Sequence, residues 1–531
     1  MIEIKNLSFS YLNAEGKQKS ENPQLNRVNL MIEAGEFVLV CGPTGSGKST
    51  FLQTLNGLAP NFTGGVITGE LLINGVDLLG AEPHEFSHLI GYVNQQPEGA
   101  FVADLVLDEI VYSAEQLAIS KEQITKDVQR LSRLLGLEDM LDSPLATLSG
   151  GQQQRVAIAA ALIAGAKVLL LDEPTSALDL QGATEVLTLL QKLAKEEGVS
   201  ILLAEHRISR VIGSVDSVIV VHGDGSVTKG KPAEQFNDTR FAPPIIELGQ
   251  KLGWNPLPIS TKQAEQLWQR DPAAFEPKTI NQPSGIVCEV IDLEVTFGLV
   301  SAVKKTNLRL FGNQITALMG ENGSGKTSLC WAIQGSGTRT SGGVKTSAGD
   351  PKSLSVQERL AVTTMVPQRA ADLLFLNSLA DELHESDTFA KVPAGTTANL
   401  FQKLTGRIDT SIHPRDLSAG QQLSLVLALQ LVKDAPVLIL DEPTRGLDYA
   451  AKRALANQLD LLRDEKRSVL LATHDIEFVA MVADRVLVLK EGLIIQDCSP
   501  LEVLGHGSEL ASQIAEVTNE PGLITIGQIL K

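Results

Sequence analysis

Two glycine-rich segments of this sequence have the residue types and spacing needed to hold phosphate groups. They read GPTGSGKST and GENGSGKTS, and each follows an apolar run at once. Glycines let backbone N–H groups converge on phosphate oxygens, and the helix expected after each loop presents its positive end. Lys48 and Lys326 are predicted to hold the β- and γ-phosphates. The phosphate-binding residues predicted in this way are Gly42, Thr44, Gly45, Ser46, Gly47, Lys48, Ser49 and Thr50, and Gly320, Asn322, Gly323, Ser324, Gly325, Lys326, Thr327 and Ser328.

A pair of carboxylates ends a short apolar run in each half of the chain. The runs are LLLDEP and LILDEP, and runs of this kind predict buried parallel strands. Acids at the end of such a strand, beside a phosphate loop, are suited to metal binding and to the activation of water. Asp172 and Asp441 are predicted to hold Mg²⁺ through water, with the hydroxyls of the loops (Ser49 and Thr327) as direct ligands. The next residues, Glu173 and Glu442, are predicted to orient or deprotonate the attacking water.

A third recurring segment, LSGGQ or LSAGQ, opens a strongly apolar helix. By itself such a segment indicates only an N-cap serine and a flexible turn. Its position is more specific, because it lies 23 residues before the first acid in both halves (149 to 172, and 418 to 441).

The elements that must position these residues are repeated as a whole. The three segments described above occur in the same order in each half, and two more recur with them. These are VNQQP in the first half and VPQ in the second, and then EH in the first half and TH in the second. We interpret this as duplication of a domain. The predicted divisions are a first domain at 1–230, a helical appendix and proline-rich linker at 231–284, and a second domain with a short tail at 285–531.

Composition excludes several classes of function. The formal charge of −18 repels phosphate backbones and anionic lipid, and aromatic residues make up only 4% of the chain, so a general nucleic-acid binder is not expected. The four cysteines are far apart, which favours a reducing compartment. No apolar run approaches the roughly 18 to 20 residues that span a bilayer, so a membrane role would require a partner.

Together the five segments identify the sequence as a member of the ATP-binding-cassette family. The resemblance implies an α/β fold of two tandem cassettes, each with a RecA-like, mostly parallel sheet, an antiparallel β subdomain and a helical signature subdomain. It implies that the cassettes pair head to tail, with ATP between the glycine loop of one and the signature segment of the other. The signature residues so implied are Ser149, Gly150, Gly151 and Gln152, and Ser418, Gly420 and Gln421.

Further roles follow only from the same resemblance. Gln95 and Gln368 match the glutamine that links Mg²⁺ to the partner surface. His206 and His474 resemble the histidine that contacts the γ-phosphate. Tyr11 and Phe297 stand where the family stacks adenine. The segments Ser176 to Asp179 and Gly446 to Asp448 resemble the loop through which the cassettes sense each other.

Two residues depart from the family pattern. Ala419 replaces a glycine at the close approach to phosphate, and Glu205 replaces the commoner threonine before the histidine. Both predicted sites keep the lysine, both acids, the glutamine and the histidine, so both are expected to hydrolyse ATP, at rates that need not be equal.

Three stretches resemble the ATPases of energy-coupling-factor transporters, which import vitamins or transition-metal ions: Gln95–Ile110, Ala204–Arg207 and Pro243–Ser260. This resemblance implies a fused ATPase pair, peripheral on the cytoplasmic face of the cell membrane. Its implied partners are an integral membrane scaffold and a membrane substrate-binding subunit, without nucleic acid. The surfaces implied to receive the scaffold include Phe101, Val102, Leu374 and Phe375.

Two other kinds of twin-cassette protein remain open. Those acting on ribosomes or DNA tend to carry a long charged helical linker or metal-binding cysteines, whereas the join here is short and interrupted by prolines. In tandem sugar-importer ATPases, one copy has usually lost catalytic residues.

Overall fold

Each half of the chain folds around a buried, mostly parallel sheet. The computed structural model describes residues 1–12, 23–176, 178–236, 241–268, 275–406, 408–463 and 466–529. The chain divides into two units, Met1–Ser260 and Thr261–Lys531. The division falls inside the range 231–284, which the sequence predicts to be appendix and linker.

The central sheet of the first unit has the strand order β10-β9-β3-β8-β7-β6, with β10 antiparallel to the other strands. Its inner strands read FVLVC, VLLLD, SILLA and SVIVV and are buried at every position, as expected for a sheet covered on both faces. The strands of the unit are β1 Ile2–Ser10, β2 Leu25–Ile32, β3 Phe37–Cys41, β4 Val66–Ile73, β5 Val76–Asp77, β6 Ile90–Val93, β7 Val168–Asp172, β8 Ser200–Ala204, β9 Ser217–Val221 and β10 Val227–Gly230.

An antiparallel sheet with the order β2-β1-β4-β5 and a group of helices complete the first unit. Helices α4, α5 and α6 pack against one another and form the helical subdomain. The helices of the unit are α1 Lys48–Leu55, α2 Leu58–Asn61, α3 Pro83–Phe86, α4 Val106–Gln116, α5 Lys121–Leu135, α6 Gly150–Leu162, α7 Leu180–Glu197, α8 Ile208–Val211, α9 Pro232–Gln235 and α10 Pro244–Leu252.

The second unit repeats this plan with the central order β15-β16-β17-β13-β18-β19 and a smaller antiparallel sheet, β12-β11-β14. Its strands are β11 Ile286–Phe297, β12 Val300–Phe311, β13 Gln314–Met319, β14 Ser341–Lys345, β15 Thr363–Val366, β16 Val437–Asp441, β17 Ser468–Ala472, β18 Arg485–Lys490 and β19 Leu493–Cys498. Its helices are α11 Thr261–Leu267, α12 Lys326–Gln334, α13 Val356–Leu360, α14 Leu379–Ala390, α15 Thr396–Thr405, α16 Ala419–Leu431, α17 Tyr449–Leu461, α18 Ile476–Val482, α19 Pro500–Val503 and α20 Gln513–Thr518.

The segment that precedes β11 is bound to the second unit. Helix α11 packs on α20, and the backbone N–H of Glu276 donates to the carbonyl of Gln528 at 2.7 Å. The ammonium of the half-buried Lys278 donates to the carbonyls of Ala480 (2.7 Å) and Met481 (2.9 Å), near the end of α18. The second unit therefore includes residues that lie well before its first strand.

Asp484 connects this segment to the sheet. Its buried carboxylate accepts from the backbone N–H of Ile315 (2.8 Å) and from the backbone and side-chain N–H groups of Asn281 (3.1 and 3.0 Å), and it pairs with Arg463. Removing this carboxylate takes away one of the two carboxylate partners of Arg463 and leaves the N–H groups of Ile315 and Asn281 without their acceptor.

We expect Asp484→Ala to destabilise the second unit by about 3 kcal/mol. The measurement is the free energy of opening of the β13 amides by hydrogen exchange. The matched control is Asp216→Ala, because the exposed Asp216 holds the corresponding strand of the first unit through the N–H of Phe37 at 2.9 Å. Its expected cost in β3 is about 1 kcal/mol. Equal losses in the two strands would contradict the role given to Asp484.

Both units have the predicted α/β architecture, with a mostly parallel sheet, an antiparallel sheet and a helical subdomain. Among the helices in the described ranges, none has the length and apolar character needed to cross a membrane.

Candidate functional site

The two glycine loops connect the carboxyl end of a central strand, β3 or β13, to a helix whose first residue is the predicted lysine. Lys48 Nζ donates to the carbonyls of Gly42 (3.1 Å) and Pro43 (3.0 Å). Lys326 Nζ does the same to Gly320 (2.8 Å) and Glu321 (3.0 Å). Each ammonium thus lies over its own loop, where phosphate oxygens could replace the carbonyls as partners.

The first glycine of each loop is required by the fold itself. Gly42 and Gly320 have φ values of 150° and 157°, and a Cβ atom at Gly320 would lie 2.3 Å from the carbonyl oxygen of Leu489. Near them, the hydroxyl oxygens of Ser46 and Ser324 are buried and have no hydrogen-bond partner in the parts of the chain that are described. Both loops therefore have donors available for a polar ligand.

The first acid of each pair is buried at the end of its strand. Burial raises the pKa of Asp172, and it raises the pKa of Asp441 to about 6, with the hydroxyls of Ser49 and Thr327 acting in the opposite direction. Within the described ranges, neither carboxylate oxygen of Asp441 has a partner that meets hydrogen-bond geometry. A divalent cation would satisfy these oxygens and favour their ionised form.

The second acid of each pair has the same unusual backbone conformation in both units. Glu173 and Glu442 have φ values of 51° and 49°, in the left-handed region that side chains rarely occupy. Their backbone N–H groups donate to Ala204 (2.9 Å) and Ala472 (2.8 Å) on the neighbouring strand. The strained turn directs each carboxylate towards the histidine that follows that strand.

Each glutamate contacts its predicted histidine. Glu173 Oε1 lies 3.0 Å from His206 Nε2, and Glu442 Oε1 lies 2.9 Å from His474 Nδ1. Gln95 Nε2 donates to the other oxygen of Glu173 at 2.7 Å. The structure therefore brings the lysine, both acids and the histidine of each half to one edge of one sheet.

The second unit differs in the partners of its glutamate. Thr473 Oγ1 donates to Glu442 Oε2 at 3.3 Å, and Lys326 Nζ lies 3.9 Å from Oε1. Gln368 is exposed, and in the described part of the chain it has no hydrogen bond to Glu442. The two glutamines therefore occupy similar places in the sequence but different environments.

The signature serines cap their own helices. Ser149 Oγ accepts from the N–H of Gln152 (3.3 Å), whose side chain accepts from the N–H of Ser149 (2.8 Å). Ser418 and Gln421 form the same capping box at 3.4 and 2.9 Å. Gly150 and Gly151, or Ala419 and Gly420, form the first turn of each helix. The predicted N-caps are confirmed, and Ala419 fits as the first helical residue.

The remaining predicted residues differ in their surroundings. The hydroxyl of Tyr11 shares a hydrogen bond with Thr50 Oγ1 of α1 at 3.0 Å, whereas Phe297 is 53% exposed at the end of β11. Asp179 and Asp448 cap helices α7 and α17. Ala177, in the first of the two sensing segments, lies outside the described residues.

Two features of the site were not predicted from the sequence. The Tyr92 hydroxyl is placed between Asp172 and Gln53, and burial raises its pKa. Buried Glu109 accepts from the N–H groups of Val102 and Ala103, both at 2.9 Å. For Glu109, the only signal in the sequence was its position as an acid on the apolar face of a predicted helix.

Comparison with known proteins decides the family. The ABC transporter family model matches residues 25–176 and 303–445. The chain belongs to the ABC transporter family. A relative from Streptomyces coelicolor, described as an ABC transporter ATP-binding protein, is 37% identical over 564 residues, which cover 100% of this chain and 99% of the relative. The predicted family, its fold and the class of enzyme, an ATP-binding ATPase, are thereby confirmed.

Solved structures of ABC proteins are also similar to the chain. The archaeal ribosome recycling factor aABCE1, solved with ribosomal stalk protein aP1, has a TM-score of 0.57 at 21% identity, over 93% of this chain and 90% of that one. At this identity the likeness shows the ABC fold alone. CbiO1 from Clostridium perfringens, described as part of the ABC transporter complex cbiONQ, is 30% identical, with a TM-score of 0.40, and covers 48% of this chain and 95% of its own.

Proposed function

We propose that this chain is the ATPase subunit of an energy-coupling-factor importer of a vitamin or a transition-metal ion. It acts peripherally, on the cytoplasmic face of the membrane. The observation that carries the proposal is a pair of loops, one after each predicted glutamine, that each present an exposed apolar side chain. We call them the docking loops (residues 101–103 and 374–376). Of the residues that the sequence assigned to this surface, Leu374 is instead buried, at 3% exposed.

A buried glutamate holds each docking loop. Glu109 binds the N–H groups of Val102 and Ala103, and Glu382 binds those of Phe375 (2.5 Å) and Leu376 (2.8 Å). Val102 is 63% exposed and Phe375 is 78% exposed. Single exposed apolar residues are common on proteins, but here a buried carboxylate also fixes the backbone that presents each one, which is why we assign these two positions as contact points. We propose that each loop receives an apolar segment of an integral membrane scaffold.

Two composite ATP sites drive the proposed cycle. In one, the loop of Lys48 and the acids of the first cassette act with Ser418, Gly420 and Gln421; in the other, the loop of Lys326 acts with Ser149, Gly151 and Gln152. Tyr11 and Phe297 stack on adenine. The capping boxes support this arrangement, because each signature serine stands at the positive end of a helix, where phosphate is favoured.

Within each site the roles divide by position. Glu173 and Glu442 take the proton of the attacking water. His206 and His474, each in contact with the glutamate of its own site, hold the γ-phosphate. Mg²⁺ would be held by the hydroxyl of Ser49 or Thr327 and by Asp172 or Asp441, with Gln95 or Gln368, and it would neutralise phosphate charge. The buried oxygens of Asp441, which have no partner of full hydrogen-bond geometry among the described residues, fit this ion.

The importer type is supported by sequence and by the appendix. The stretch Pro243–Ser260, which resembles the appendix of energy-coupling-factor ATPases, forms α10, and its Ile245, Ile246 and Leu248 are buried in the first unit. All catalytic residues are present in both cassettes, unlike the usual tandem sugar-importer pattern.

The test is capture of partners from membranes of the native host, solubilised in mild detergent, on the tagged full-length protein. We expect an integral membrane scaffold and a membrane subunit that binds a vitamin or metal ion to be retained. The variant Val102→Asp/Phe375→Asp should retain them at least about 10-fold less, since burying one such side chain is worth about 2 kcal/mol.

The control is Phe62→Asp/Leu461→Asp, which places the same charges at other exposed apolar positions, 74% and 85% exposed. It should capture the membrane proteins as the unchanged chain does. Capture of ribosomal subunits or DNA in place of membrane proteins would overturn the proposal and favour the other class of twin-cassette ATPase. Equal capture by both variants would overturn the assignment of the docking loops.

A further inference from the structure

We infer that Glu205 is a positioning residue that holds His206 against Glu173 and so sets the hydrolysis rate of the first cassette alone. The inference rests on the roles proposed above for those two residues. Glu205 follows β8 directly and is 1% exposed. The family pattern has threonine here, as Thr473 is in the second cassette.

The carboxylate of Glu205 joins two turns at the edge of the central sheet. Oε1 accepts from the backbone N–H of Thr175 at 3.2 Å and from its hydroxyl. Oε2 accepts from the backbone N–H groups of His206 (2.9 Å) and Arg207 (3.3 Å). One turn carries Glu173 two residues earlier, and the other carries His206 itself. A single buried side chain therefore connects the backbones of the two residues whose side chains meet at 3.0 Å.

Among the described residues of the second cassette, the corresponding turns are not connected in this way. Thr473 Oγ1 accepts from the N–H of Asp475 at 3.1 Å and donates to Glu442 itself. The hydroxyl of Thr444, which corresponds to Thr175, is buried and has no hydrogen-bond partner in the described ranges. In the second cassette, the residue at this position therefore binds the catalytic glutamate itself. In the first cassette, it binds the backbone of the two turns that carry the glutamate and the histidine.

The physical consequence concerns the rate more than the binding of ATP. A carboxylate can accept from all four donors, whereas an amide presents N–H groups to two of them and leaves buried donors unpaired. The hydrogen bonds described for the Glu205 carboxylate go to Thr175, His206 and Arg207, which lie outside the glycine loop. ATP binding should therefore be preserved while the alignment of His206 and Glu173 is lost.

The experiment measures ATP hydrolysis in two matched backgrounds of the full chain. In Glu442→Gln, only the first site retains its glutamate; in Glu173→Gln, only the second does. We expect Glu205→Gln to lower kcat at least about 10-fold in the first background, with KM for ATP within about 2-fold, and to leave the second background unchanged. Glu205→Thr is expected to act in the same direction.

Unchanged kcat in the first background would overturn the inference. An equal loss of kcat in both backgrounds would also overturn it, because such a loss indicates general destabilisation. If the proposed assignment of the general base is wrong, the result differs, since the double variant Glu173→Gln/Glu442→Gln would then hydrolyse ATP at the normal rate. Hydrogen exchange at the amides of Thr175, His206 and Arg207 gives a readout that needs no activity. Exchange at least about 10-fold faster in Glu205→Gln is expected, and unchanged exchange would contradict the proposed connection.

Discussion

A chain that carries both Glu173→Gln and Glu442→Gln is expected to bind ATP normally and to hydrolyse it about 1,000-fold more slowly. The reason is that glutamine keeps the shape of each side chain but does not accept a proton, and general-base catalysis contributes roughly 10²- to 10⁴-fold. The left-handed backbone at both glutamates and their contacts with His206 and His474 place these carboxylates at the carboxyl edge of each sheet, beside the glycine loop.

Two measurements check this prediction. Release of inorganic phosphate reports the rate, and retention of radiolabelled ATP after rapid gel filtration reports binding. The control changes two exposed glutamates elsewhere, Glu122→Gln and Glu385→Gln, and should hydrolyse at the normal rate. If the double Glu173/Glu442 variant also does so, the base assignment is wrong.

The second large effect is expected from the lysines. Lys48→Ala should weaken ATP binding about 100-fold at one site and leave the other site near its normal affinity, because each ammonium lies over its own loop. A loss of this size corresponds to about 3 kcal/mol, in the range found when one charge-stabilising donor is removed. Lys326→Ala should do the same at the other site.

Equilibrium titration with a fluorescent ATP analogue distinguishes the sites, since one high-affinity equivalent should remain in each single variant and none in the double variant. Lys126→Ala, which removes an exposed ammonium from α5, is the control and should keep both equivalents. If Lys48→Ala alone weakened the binding of both ATP equivalents, the two phosphate-binding loops would not be independent.

The parts of the site that lie within one short segment were predictable from the sequence. The glycine loops, the acids at the ends of β7 and β16 and the N-caps Ser149 and Ser418 all depend on residues a few positions apart. Local sequence carries that information because strand ends, loops and caps are set by neighbouring residues.

Contacts between distant segments could not be predicted in this way. Glu205 was visible as a departure from the family pattern, but its partner Thr175 lies 30 residues away. The different surroundings of Gln95 and Gln368 depend on where Glu173 and Glu442 point, 78 positions beyond in the first case. The helical pattern gave Glu109 only as an acid on an apolar face, because its partners are backbone N–H groups of the preceding loop.

The attachment of Lys278 and Glu276 to the second unit decides how the two cassettes should be separated for study. A half-molecule that begins at the first strand, near Gly285, would expose the carbonyls of Ala480 and Met481 and remove α11 from α20. Cleavage after Ser260 keeps those elements together. Recombinant halves divided there should be the more soluble and protease-resistant pair, and they offer a route to loading each cassette with nucleotide independently.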